Sequence, residues 1–80
     1  MQQTIHVWLE DQPGALMRVA GVITGKGANI RTLTVAPDAE QPGTARIVLS
    51  AEVEPRLRRR VINEMNRLIQ VLEAVDLSDN

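Results

Sequence analysis

Two short runs carry the residue types best suited to small-molecule chemistry: Asp11-x-Pro13-Gly14-Ala15 and Asn29-Ile30. The first run joins a strand pattern to a helix pattern. Free amides at Gly14 and Ala15, at a helix start, can bind a carboxylate with help from the helix dipole. Asp11 can accept from a cationic amine, and Asn29 offers both a donor and an acceptor. If the fold brings both runs to one end of the domain, as we expect, they hold an α-amino acid by its two charged ends. A plainer reading of the same residues stays open. Asp11 caps the helix, and Asn29 tolerates a turn conformation.

Other chemistries find little support. The chain has no Cys and one His, His6, so it offers neither thiolate chemistry nor a His-rich metal site. Ser50 and Ser78 have no His within plausible reach, since His6 is alone on a strand. Glu10 and Asp11 are adjacent on an extended chain and point apart, which is poor geometry for a carboxylate pair. Gly21, Gly25 and Gly27 follow a helix pattern and not a strand, so they do not form a dinucleotide fingerprint. We expect close packing at Gly21 and helix termination at Gly25 or Gly27. No nucleophile–base pair, metal cluster or cofactor motif emerges, so the chain is expected to be non-catalytic and to carry no cofactor.

Composition narrows the partners. Trp8 is the only aromatic and the net charge is −1, which leaves nucleic acid without stacking platforms or global attraction. Arg56, Arg58, Arg59, Arg60 and Arg67 make one helix basic. They read as a solvated face, or as a docking face for an acidic partner. No apolar run is long enough to span a membrane. The opening Met1-Gln2-Gln3-Thr4 lacks a signal-peptide pattern, so a cytoplasmic location is expected.

The elements that must position these residues follow from periodicity. Ile5, Val7 and Leu9 alternate with His6, Trp8 and Glu10 over residues 3–10, a half-buried strand. Pro13 suits a helix start, with Asp11 near its dipole. Leu16, Val19, Ala20 and Ile23 then recur at helical spacing. Residues 29–36 read as a second strand, 38–43 as a polar hairpin loop and 44–53 as a third strand. Pro55 opens a second helix with the stripe Leu57, Val61, Met65, Leu68 and Ile69. Residues 71–77 form a last strand, and Ser78-Asp79-Asn80 is expected to fray. The order βαββαβ specifies an α+β, ferredoxin-like domain over residues 1–80: a four-stranded antiparallel sheet with both helices on one face. Its core is thin, and its other face, with His6 and Trp8, is bare. Both features, with the open sheet edges, favour an oligomer.

Three segments resemble the small, regulatory subunit of acetolactate synthase (acetohydroxyacid synthase). They are Glu10-Asp11-Gln12-Pro13-Gly14-Ala15-Leu16-x-Arg18-Val19-Ala20-Gly21, Gly27-x-Asn29-Ile30-x-x-Leu33-Thr34-Val35-Ala36-Pro37, and Asn66-x-Leu68-Ile69-x-Val71-Leu72-x-Ala74-Val75-Asp76-Leu77. The resemblance implies an ACT domain that forms a homodimer by pairing its second strands. It implies that a branched-chain amino acid, typically valine, binds at that interface, contacted by Asp11, Gly14, Ala15, Asn29 and Ile30. It further implies a partner, the thiamine-diphosphate catalytic (large) subunit, which the small subunit activates and makes sensitive to feedback in branched-chain amino acid biosynthesis. A free-standing ACT amino-acid sensor with another client enzyme is the alternative. Family members commonly carry Asn at the position of Asp11, a small hydroxyl residue at that of Met17 and an aromatic at that of Ala28.

Overall fold

The computed structural model describes residues 2–78. Its elements are β1 (Gln2–Glu10), α1 (Ala15–Gly25), β2 (Asn29–Pro37), β3 (Thr44–Glu52), a 3₁₀ turn (Pro55–Leu57), α2 (Arg58–Arg67) and β4 (Val71–Asp76). The strands form one sheet in the order β2-β3-β1-β4, every neighbouring pair antiparallel. This is the expected ferredoxin-like arrangement.

Alternation in β1 sets the layers. Ile5, Val7 and Leu9 are buried against Ile47, Leu49 and Ala51 of β3 and against Val19, Ile23, Val61 and Met65 of the helices. Burying side chains of this size is worth about 1.5–3 kcal/mol each. Ile69 departs from the expected stripe. Helix α2 ends at Arg67, Leu68 turns extended, and Ile69 is left 86% exposed in the turn to β4. Gly21 also departs, since an added Cβ there would meet nothing within 4 Å. It is open surface and not a packing contact. Gly27, with φ +75°, ends the α1 region as expected.

The opposite face carries His6 stacked on Trp8, with ring centroids 3.9 Å apart. Arg46 donates from Nε to His6 Nε2 at 3.3 Å. Partial burial, then Arg46, hold the His6 imidazole below its ordinary pKa, while Asp38 pulls the other way.

The two sheet edges differ. On β4, the Asn66 side chain from α2 accepts from the Ala74 amide (2.9 Å) and donates to the Ala74 carbonyl (3.1 Å), much as a neighbouring strand would. On β2, a bulge falls between Ile30 and Thr32, and among the described residues its outward backbone groups meet no partner. At the chain's end, Ser78 is held and not frayed: its Oγ accepts from the Thr4 amide at 2.6 Å and its carbonyl accepts from Arg58 at 3.1 Å. Asp79 and Asn80, the rest of that expected fray, lie outside the described residues.

Candidate functional site

The turn from β1 into α1 leaves donors open. Gly14 is the N-cap of α1, in the left-handed region at φ +83°, and no side chain caps the helix. The capping role considered for Asp11 is therefore not taken, and the helix begins two residues after Pro13. The turn closes on itself instead, with the Ala15 amide donating to the Gln12 carbonyl at 3.1 Å. That corrects the expectation of a free Ala15 amide. Among the described residues, the amides of Gly14, Leu16 and Met17 have no acceptor. Leu16 and Met17 were missed in the sequence. The signal was available, because the first turn of any helix leaves several amides unpaired.

Beside these donors is a cavity of about 180 Å³. Asp11, Gly14 and Ala15 line it, together with apolar Leu9, Met17 and Val35. Ala15 is buried; Asp11 and Gly14 are exposed, and Met17 is 74% exposed at the rim. The arrangement joins an anion-binding helix start, a carboxylate and an aliphatic wall. It can take a small zwitterion with an apolar side chain.

Asn29 and Ile30 are elsewhere. Asn29 is level with Glu52 and Gln2, whereas Pro37 is level with Ala45, next to the Thr44–Glu10 pair. Strands β1 and β2 run the same way on either side of β3. Within one chain, β2 therefore starts at the end of the sheet away from Gly14, roughly 25 Å along the strands. The expectation that both runs share one end of the domain is overturned by this register. Asp11, Gly14 and Ala15 come together; Asn29 and Ile30 do not join them within the chain.

A larger concavity of about 550 Å³ lies at that far end, lined by Arg58, Arg59, Ile62 and Asp76 among others. Its half-buried charges, Arg58 and Asp76, are already matched to each other. Arg58 Nε donates to Asp76 Oδ2 at 2.6 Å, and buried Gln3 donates from Nε2 to the same carboxylate and to the Arg58 carbonyl, each at 3.0 Å. Burial pushes the Asp76 carboxyl up, but hydrogen bonds from Arg58, Ser78 and Gln3 outweigh it and hold the group well below the usual carboxylate range. We therefore place the candidate site in the smaller cavity, where donors are left over. Among the described residues no group of His, Asp or Glu side chains could hold a metal ion, and no helix is long and apolar enough to cross a membrane.

Residues 5–73 match the profile of the AHAS small subunit-like ACT domain. A probable acetolactate synthase small subunit of Methanothermobacter thermautotrophicus is 38% identical over 73 residues, covering 91% of this chain and 43% of that protein. The acetolactate synthase isozyme 3 small subunit of Escherichia coli is 31% identical over 77 residues, covering 96% of this chain and 47% of that one. The chain thus spans about half the length of the curated relatives it matches. Among solved structures, the acetolactate synthase small subunit from Thermotoga maritima superposes with a TM-score of 0.80 at 21% identity, over 95% of this chain and 47% of that one. The ACT domain from GTP pyrophosphokinase of Chlorobium tepidum gives 0.78 at 20% identity, over 96% of this chain and 97% of that one.

Proposed function

We propose, since the chain belongs to the AHAS small subunit-like ACT domain family, that it is the amino-acid-sensing part of a regulatory subunit of acetolactate synthase. In this reading it is non-catalytic. It binds a branched-chain amino acid, valine foremost, and transmits occupancy to a thiamine-diphosphate catalytic subunit. The observation that carries the reading is the set of unpaired amides at Gly14, Leu16 and Met17 beside a cavity walled by Leu9 and Val35. The ligand carboxylate meets the amides, its amine meets Asp11, and its branched side chain meets the aliphatic wall.

The β2 edge supports the homodimer. Pairing two β2 strands antiparallel about a two-fold axis near Leu33 puts the start of each strand level with the end of the other. Asn29 and Ile30 of the partner subunit then lie at the Pro37 end, beside the Gly14 cavity. The site residues that one chain keeps apart are reunited across two chains. Asn29 offers its side-chain carbonyl to the ligand amine, and Ile30 adds apolar surface.

The test pairs two measurements on the isolated chain: light scattering at micromolar concentration, and melting with millimolar valine, leucine or isoleucine. A ligand that binds only the folded dimer raises apparent stability by about 2.7 kcal/mol at a hundredfold excess over its Kd. A dimer mass and a raised midpoint are expected. A clean monomer would remove the interface site, and a dimer indifferent to all three amino acids would sink the sensing role. Co-purification of a thiamine-diphosphate enzyme with the chain is the expected outcome for the partner.

A further inference from the structure

The open sheet face carries a second concavity, apart from the amino-acid cavity. It is a groove of about 440 Å³ between the 38–43 loop and β4, lined by Trp8, Asp38, Glu40, Gln41, Leu72 and Glu73. The register shift between Trp8 and Leu9 in the β1–β4 pairing leaves Leu72 without a partner there, and its side chain is 54% exposed. An indole and a leucine therefore form the apolar part of the groove. Three carboxylates accompany them: Asp38, Glu40 and Glu73. Among the described residues, none of the three forms a salt bridge. Arg46, the nearby cation on this face, is hydrogen-bonded to His6 and keeps its charge, so three carboxylates face one cation and the rim is acidic in balance.

From this charge pattern we propose that the groove docks a basic segment of a partner protein, seating an arginine or lysine side chain on Trp8 and Leu72. The match is chemical in two ways. The aliphatic stem of such a side chain covers apolar surface while its head stays in the polar rim. The cationic head is attracted by the surrounding carboxylates and by the indole, one face of which is already stacked on His6. An acidic or neutral segment would leave the carboxylates uncompensated. This proposal does not depend on amino-acid binding at Gly14.

Trp8 is the sole Trp of a chain without Tyr or Phe, so its fluorescence reports on the groove and on the His6 ring stacked against it. The experiment titrates the full chain with a short acetylated, amidated Gly-Arg-Gly-Arg-Gly peptide, and with the same peptide carrying neutral citrulline for arginine. A saturable change in Trp8 emission is expected with arginine, several-fold weaker with citrulline, and weaker as salt is raised. The double variant Asp38→Asn, Glu73→Gln should keep its melting midpoint and lose the response. No saturable change up to millimolar peptide would overturn the proposal. So would equal responses to arginine and citrulline, or an unchanged response in the folded double variant.

Discussion

Strand β1 alternates in the same way from Gln3 to Glu10, yet its two ends meet opposite surroundings. At the start, Gln3, Arg58, Asp76 and Ser78 bind one another, and the Thr4 amide is held by Ser78. At the finish, the chain turns through Gly14 into a helix, and the amides of Gly14, Leu16 and Met17 have no acceptor among the described residues. The first end is polar and largely matched, with Gln3 Oε1 left buried without a partner among the described residues; the second is polar and waiting. Matched polar groups stabilise a fold, and leftover donors beside an apolar wall define where a ligand gains most. The larger concavity at the matched end is thus the weaker candidate, because a ligand there would have to displace contacts the protein already makes.

The sharpest way to break this contrast is to alter the waiting end. Gly14→Asp should abolish the valine-induced rise in melting midpoint altogether. It places a carboxylate among the carboxylate's own donors, and it forces a side chain into a left-handed conformation costing about 1–3 kcal/mol. No neighbour lies within 4 Å of the added Cβ, so the domain should still fold. A valine shift of undiminished size in the variant would dissociate Gly14 from the site. Asn29→Ala should weaken valine binding by about 1–3 kcal/mol, through the unpaired partner it leaves. Because Asn29 is remote from Gly14 in its own chain, any effect on titration calorimetry speaks for a site shared by two chains. Valine affinity equal to wild type would argue against that sharing.

The matched end predicts the reverse pattern. Gln3 is fully buried, and Gln3→Ala should lower stability by about 1–3 kcal/mol in denaturant melts while leaving the valine increment intact. Acid probes the same network. Asp76 has a lowered pKa in the folded state, so the unfolded chain takes up its proton first. Its contribution is fully present above the ordinary carboxylate value of about 3.9 and is lost as pH falls below it toward the folded value. Asp76→Asn should flatten the acid limb of the stability–pH curve, and an unchanged limb would assign that sensitivity to another group. Smallest of all, Met17→Ser at the cavity rim should leave valine affinity unchanged or modestly tighter. A marked loss would show that Met17 forms part of the wall and does not merely narrow the mouth.

Most of the architecture was legible because it depends on patterns that survive in one dimension. Ile5, Val7 and Leu9 alternate strictly, Val61 and Met65 sit one helical turn apart, and Pro-Gly pairs mark the breaks. Fold class and element order follow. The position of Asn29 relative to Gly14 was misread, although the connection contained the answer: a strand–helix–strand crossover makes its two strands parallel, so the second begins where the first began. The amide pairing of Ala15 was not legible at all. It depends on how the Gln12–Gly14 turn closes, and no spacing of residue types specifies that. The hold on Ser78 was hidden likewise, since its partners Thr4 and Arg58 are distant in sequence and meet only once β1, α2 and β4 are assembled.

Asn66 has a consequence for how far sheets of this kind can grow. Each domain has two outer strands, and with both available, copies could add indefinitely, as they do in fibrils. By lending an amide side chain to both backbone groups of Ala74, Asn66 removes the middle of β4 from that market of exposed strands. Strand β2 has no such cover among the described residues, so in the proposed homodimer it is the edge that pairs, and each copy's free edge is consumed in the same act. On that proposal, growth past two copies would have to use β4, where Asn66 already occupies the backbone groups of Ala74.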